Sequence, residues 1–191
     1  MKVLAINGSP REKGNTGTVL STMLDVFAAR GSWQTRMIHL NKLNMKGCQG
    51  CMSCKNKTDY CVTKDDMQEL YEEIQSSDVV LLGSPVYFFD VTGQFKLFLD
   101  RCFAFWDRDY KPRMKSGKTA IFVLSQGQDN INIAKSVVAK YGPMFKSFGF
   151  SEGDDLILPS LNSRTAIEKH PDYLERARMM AEKYVWGYGG S

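Results

Sequence analysis

The sequence predicts an α/β fold: a doubly wound, five-stranded parallel sheet in the order 2-1-3-4-5, with helices on both faces. Three observations carry that expectation. Five short apolar runs alternate with segments in which apolar residues recur at helical spacing, the pattern of consecutive βα units. Runs such as Val79 to Leu82 are apolar throughout instead of alternating, as strands covered on both faces must be. The 191 residues are 43% hydrophobic and 24% charged, without repeats or low-complexity tracts, which suits a single domain over 1–191 that buries its own core.

The first strand is read at Lys2 to Ile6; its apolar run meets Gly8 too soon for a signal-peptide core or a membrane span. A cytoplasmic location is the expectation. Val19, Leu20, Met23, Leu24 and Phe27 mark the first helix, and Gln34 to Leu40 the second strand. Met67, Leu70, Tyr71 and Ile74 mark the next helix, ahead of the strand at Val79 to Leu82. Phe95, Phe98, Leu99, Cys102, Phe103 and Trp106 follow at the same period, then a strand from Thr119 to Leu124. Val137, Val138 and Tyr141 give the fourth helix, which Pro143 is expected to kink or end. Asp155 to Leu158 supplies the fifth strand, and Tyr173, Ala177, Met180, Ala181 and Tyr184 the last helix. The long polar connection between Glu152 and Pro171 is the least regular part of the pattern.

In this sheet order strands one and three are neighbours at the switch point, where ligands bind beyond the carboxyl ends. The first βα turn reads Gly8-Ser-Pro-Arg-Glu-Lys-Gly-Asn-Thr16. Its second glycine comes one residue too late for a triphosphate-binding loop and Asn15 follows it, and no Gly-x-Gly-x-x-Gly is present. What remains is Ser9, Thr16 and Thr18 hydroxyls, the Asn15 amide, the Arg11 guanidinium and Gly17 at a helix start, an inventory that suits one terminal phosphate. After strand three, Pro85, Val86, Tyr87 and Phe88 offer flat apolar surface; after strand four, Ser125, Gln126 and Gly127 add a polar loop. Together the first two loops describe a site for a phosphorylated planar ring, and the third lies on the same edge. The competing reading is a polar turn without a ligand, with Tyr87, Phe88 and Phe89 packed under the loop or against a partner subunit.

Four of the five cysteines fall in one loop, 46–64, after strand two, spaced Cys48-x2-Cys51-x2-Cys54-x6-Cys61. In a reducing compartment such a group reads as metal ligands or redox thiols sooner than as disulfide staples. Three closely spaced cysteines can wrap one cubane. In bacterial ferredoxins the fourth cysteine precedes a proline and serves a second cluster, whereas here Cys61 precedes Val62 and no second set exists. A single [4Fe-4S] site, free thiols, a redox disulfide and a zinc site all stay open on spacing alone. Cys102 lies on an apolar helical stripe and reads as core. The formal charge of +4 is too small and too evenly spread to argue for nucleic acid. Between Asn41 and Lys64, Lys42, Lys46, Lys55, Lys57 and Lys64 stand against Asp59 alone, either a solvated loop or a docking surface for an acidic redox partner such as a ferredoxin. No Ser-His-Asp set exists, His39 and His170 are the only histidines, and no catalytic side chain is assigned.

These motifs resemble the flavodoxin-like NAD(P)H-dependent FMN reductases and, within them, the iron-sulfur flavoproteins. The resemblance rests on Gly8-Ser-Pro-Arg-x2-Gly14-Asn-Thr16, on Cys48 to Cys61 with Lys64-Asp-Asp-Met67, and on Ser84-Pro-Val-Tyr87 leading to Gly93-x2-Lys-x2-Leu-Asp-Arg101. It implies a flavodoxin-like fold and FMN, with the phosphate on Ser9, Arg11, Asn15 and Thr16. The ring would lie on Pro85, Val86, Tyr87 and Phe88, with further contact from Ser125, Gln126 and Gly127. It further implies a homodimer or homotetramer and an oxidoreductase passing electrons from a reduced donor, NAD(P)H or a ferredoxin, to an acceptor such as a quinone or oxygen. Cys48, Cys51, Cys54 and Cys61 would then ligate a [4Fe-4S] cluster. An FMN or quinone reductase without a cluster, and a non-enzymatic flavodoxin-type carrier, are the alternatives; no nucleic-acid or membrane partner is expected.

Overall fold

The computed structural model describes residues 1–151 and 153–188. Its strands are β1 (Lys2–Asn7), β2 (Gln34–His39), β3 (Val79–Pro85), β4 (Lys118–Ser125), β5 (Phe150–Ser151) and β6 (Asp155–Leu158). Its helices are α1 (Asn15–Ala28), α2 (Ser53–Asn56), α3 (Met67–Ser76), α4 (Gly93–Arg101), α5 (Asn132–Ser147) and α6 (Pro171–Tyr188). The sheet is parallel in the order β2-β1-β3-β4-β5, with β6 also paired to β4. This is the predicted order.

The strands are apolar at successive positions because both faces are covered. Val3 and Ala5, Val79 and Leu81, and Ile121 and Val123 pack against Val19, Leu20 and Met23 of α1 and Ala177, Ala181 and Val185 of α6. The alternate residues Leu4, Ile6, Val80, Leu82, Phe122 and Leu124 face Leu70 of α3, Phe95 of α4 and Phe145 of α5. Each large apolar side chain buried this way contributes roughly 1.5–3 kcal/mol.

Three details depart from the sequence reading. β3 runs past its apolar stretch to Pro85, which costs no ladder bond because the Val86 N–H donates to Ser125 O at 2.8 Å. The fifth strand arrives in two pieces. Its register slips by one residue between Ser151, opposite Thr119, and Asp155, opposite Phe122, so the edge is bulged. Gly153 is required there, since a Cβ would stand 1.7 Å from Ala120 O. Pro143 does not end α5, which continues to Ser147. Tyr141 and Phe145, either side of the proline, are 4% and 6% exposed, and the Phe145 ring meets Phe122 edge-on at 5.3 Å, so packing holds the far turn in place. Among the described residues no helix is long and apolar enough to cross a membrane.

Candidate functional site

The turn after β1 is shaped by its own short polar side chains. Ser9 N–H donates to Asn7 Oδ1 at 2.9 Å, and Arg11 N–H to Ser9 Oγ at 3.1 Å. The chain then folds back so closely that a Cβ on Gly17 would stand 1.9 Å from Glu12 O. The first-turn N–H groups of α1 have no intrahelical carbonyl to bond, and no acidic residue occupies that turn. The partial positive charge of the helix end is therefore left for a ligand to satisfy.

The loops after β1, β3 and β4 meet in one cleft. Ser9, Arg11, Asn15 and Thr16 line it from the first loop, Pro85, Val86 and Tyr87 from the second, and Ser125, Gln126 and Gly127 from the third. Of the residues singled out from sequence, Gly17, Thr18 and Phe88 are not in the lining. Gly17 allows the close approach beneath the loop. Thr18 is engaged through its backbone, N–H to Gly14 O at 2.9 Å and carbonyl to the Thr22 hydroxyl. Phe88 is 97% exposed at the tip of a tight turn. There Tyr87 and Asp90 exchange backbone hydrogen bonds across Phe88 and Phe89, whose φ angles of 48° and 68° fit a turn that usually holds asparagine and glycine.

The cleft is internally braced. Thr16 Oγ1 and Ser125 Oγ are 2.7 Å apart, joining the first loop to the third. Gln126 is 4% exposed; its Nε2 donates to the carbonyls of Gln128 and Asn130, while its Oε1 is buried without a partner. An orphaned acceptor beside a cleft is a place for a ligand N–H. Leu161 and Arg164, from the polar connection after β6, complete the lining. That connection carries no motif, so only its proximity in the fold reveals them. The Asn15 carboxamide, expected on a phosphate, instead bonds this connection: Nδ2 to Leu161 O and Ser163 O, and Oδ1 from Ile167 N–H.

The cysteine loop is held from outside the cleft, and none of its four thiols lines it. Lys55 is buried, with Nζ donating to Phe103 O at 2.6 Å and Trp106 O at 2.5 Å and lying 4.0 Å from the Phe103 ring centre. It therefore does not belong to a lysine-rich rim, and burial lowers its pKa. Lys42 pairs with Glu12 at 2.8 Å. Arg113 bonds Asp59 and the Cys54 carbonyl. Cys48 and Cys51 are exposed, Cys54 and Cys61 half-buried, and Cys102 buried as expected. The Cys51 thiol is drawn below its ordinary value by its contact with Ser53 Oγ at 3.5 Å, whereas burial pushes Cys54 up. Among the described residues no three of His, Cys, Asp or Glu converge closely enough to hold a metal ion. Cys54 does lie within electrostatic reach of both Cys48 and Cys61.

Residues 1–141, which contain all three loops' β-strand supports and motifs, match the NADPH-dependent FMN reductase family. The chain belongs to that family. An iron-sulfur flavoprotein of Methanocaldococcus jannaschii is 34% identical over 130 residues, 68% of this chain and 64% of that protein. One from Clostridioides difficile is 28% identical over 188 residues, 97% of this chain and 79% of that protein. The chain spans 48% to 64% of the length of the first curated relatives it matches. Among solved structures, an NAD(P)H:quinone oxidoreductase from Methanothermobacter marburgensis aligns with a TM-score of 0.73 at 16% identity, covering 95% of each chain. An FMN-dependent NADH-azoreductase from Bacillus anthracis, in complex with FMN, aligns at 0.71 and 15%, covering 97% of this chain and 100% of that one. At such identity these two show the shared flavodoxin-like fold. FMN, the cofactor of the reductase family, fits the cleft: Arg11, the Ser9 hydroxyl and the α1 amides suit its phosphate, Val86 and Tyr87 its ring, and Gln126 Oε1 a ring N–H.

Proposed function

We propose that this member of the FMN reductase family is an FMN-dependent oxidoreductase that takes electrons from a nicotinamide donor and passes them to a small acceptor such as a quinone or oxygen. The observation that carries the reading is the convergence of three loops on one cleft, cationic at the α1 end and apolar at Val86 and Tyr87. When bound, FMN supplies hydride acceptance in one step and release of electrons singly or in pairs. The chain's own residues bind and orient. Arg11 and the first-turn amides of α1 take the phosphate, the Thr16 to Ser125 contact sets the spacing of the two loops, and Tyr87, 43% exposed, leaves the ring reachable from solvent. No side chain acts as nucleophile.

Purification with identification of the released chromophore, then anaerobic addition of NADH or NADPH, tests this reading. FMN that bleaches and reoxidises with a quinone or oxygen is the expected result. FAD in its place, or no flavin after reconstitution, would refute it. FMN that is bound yet inert to both nicotinamides would favour the carrier reading.

A second reading is favoured by the cysteine spacing and by relatives named iron-sulfur flavoproteins: Cys48, Cys51, Cys54 and Cys61 ligate a [4Fe-4S] cluster fed by a ferredoxin-like donor, in an assembly of two or four chains. Anaerobic preparations should then contain about four irons per chain. Absence of iron after anaerobic reconstitution would remove it and leave the cluster-free reductase.

A further inference from the structure

We propose that Arg164 is, with Arg11, a second phosphate-binding cation of the cleft, and that Asn15 is the residue that positions it. This deepens the FMN reading above and rests on it. The resemblance placed the Asn15 carboxamide on the phosphate. Its hydrogen-bonding capacity is used elsewhere: Nδ2 donates to Leu161 O at 3.3 Å and to Ser163 O at 2.8 Å, and Oδ1 accepts from Ile167 N–H at 3.0 Å. Both donors and the acceptor are engaged, and because two carbonyls and one N–H surround the amide, only one orientation satisfies all three. The partners bracket residue 164 on both sides.

The segment thus stapled is fixed at its other contacts too. Leu161 N–H donates to Gln126 O at 2.8 Å and Ser160 N–H to Gln128 O at 3.2 Å, while Ala166 and Ile167 are buried in the α1 and α6 side of the core. Arg164 is the one cation on this segment that reaches the cleft lining. Neither Arg11 nor Arg164 has an ion-pair partner among the described residues. Glu12, the acidic residue of the first loop, pairs with Lys42 instead. Two guanidiniums without an ion pair line a cleft that also holds a helix start with no acid, an arrangement that suits a dianion. The ligand chemistry is a phosphomonoester. Arg164 would therefore set the preference for FMN over riboflavin, the same ring without the phosphate.

The test titrates FMN, riboflavin and inorganic phosphate into the deflavinated full chain and its variants, following flavin fluorescence and heat of binding. Arg164→Ala should weaken FMN by roughly 10- to 100-fold, the range for a hydrogen bond to a charged group, and leave riboflavin unchanged. Arg164→Lys should recover part of the loss, and phosphate should compete with FMN more weakly in Arg164→Ala than in the wild type. Asn15→Ala should weaken FMN selectively as well, and Asn15→Ala combined with Arg164→Ala should be no weaker than Arg164→Ala alone, because Asn15 acts through Arg164. Equal FMN affinity in wild type and Arg164→Ala overturns the proposal while leaving the FMN reading intact. An equal loss of FMN and riboflavin overturns it too, since a merely structural role would do that. Losses that multiply in the double variant overturn the positioning role of Asn15. A wild type that takes no FMN defeats the functional reading itself. Should Asn15→Ala not fold, the Arg164→Ala and Arg164→Lys pair decides the question.

Discussion

Arg101→Met is expected to destabilise the chain severely and to loosen the cysteine loop before anything else. Arg101 and Asp65 side chains are 0% and 2% exposed, and the guanidinium is bidentate on the carboxylate at 2.6 and 3.0 Å. The same guanidinium donates to Lys46 O at 2.7 Å and Thr63 O at 3.3 Å, the two ends of the loop carrying Cys48 to Cys61. Removing it leaves a buried carboxylate without its cation, a change that costs about 3–5 kcal/mol. For a chain of this size that lowers the melting temperature by about 6–20 °C. The sign with pH is equally specific. Burial alone would raise the Asp65 pKa, but the Arg101 hydrogen bonds, the Lys46 amide and the Arg101 charge bring it below the usual carboxylate range. A depressed folded value stabilises above the unfolded pKa, near 4, and that stabilisation is lost as pH falls through the folded value. In Arg101→Met only the Lys46 and Met67 amides still oppose burial, so the deficit should be largest near pH 7 and shrink in acid. Thermal melts across pH, with alkylation rates of Cys54 and Cys61 in the native state, measure both effects. A melting temperature within 2 °C of wild type, or an unchanged pH profile, would refute the reasoning.

Gly17→Ala should weaken FMN and lower stability together, because the new Cβ meets Glu12 O at 1.9 Å and the loop must open; FMN affinity equal to wild type would show the loop tolerates it. The turn at Phe88 and Phe89 predicts the opposite sign. Replacing the pair by asparagine and glycine removes left-handed strain worth about 1–3 kcal/mol per residue, so unfolding should require more urea; a lower midpoint would mean these rings are held by contacts within the chain.

Much of this architecture was legible because parallel strands buried on both faces announce themselves as unbroken apolar runs, and Val79 to Leu82 is one. Ten of the cleft residues were equally legible, since hydroxyls, arginine and proline concentrated just after those runs have few other uses. The bulge at Gly153 was not, because a two-residue strand such as Phe150–Ser151 has no period to detect. Nor was Arg164, which sits in a polar connection whose meaning depends on contacts with Asn15, 149 positions earlier in the chain. Lys55 was misread for a related reason: charge pattern treats every lysine as solvated, and only the carbonyls of Phe103 and Trp106 at the end of its side chain show otherwise.

The two kinds of loop at this sheet differ in what holds them, and that difference separates their roles. The cleft loops are short and closed by backbone and hydroxyl contacts, such as Gly8 N–H to Gly83 O at 2.7 Å and Thr16 to Ser125, so contacts within the chain set their geometry. The cysteine loop is long and has little secondary structure beyond α2. It hangs on three cationic side chains: Arg101 and Arg113 reach its carbonyls from outside, and its own Lys55 reaches out to the carbonyls of Phe103 and Trp106. Such anchors fix the ends and the middle while leaving Cys48 and Cys51 exposed and unbonded to one another. A cofactor cleft formed in advance beside a thiol loop that is tethered yet adaptable lets the chain keep its flavin chemistry whatever the state of the cysteines. Cysteine substitutions should accordingly change iron content or thiol reactivity without displacing FMN.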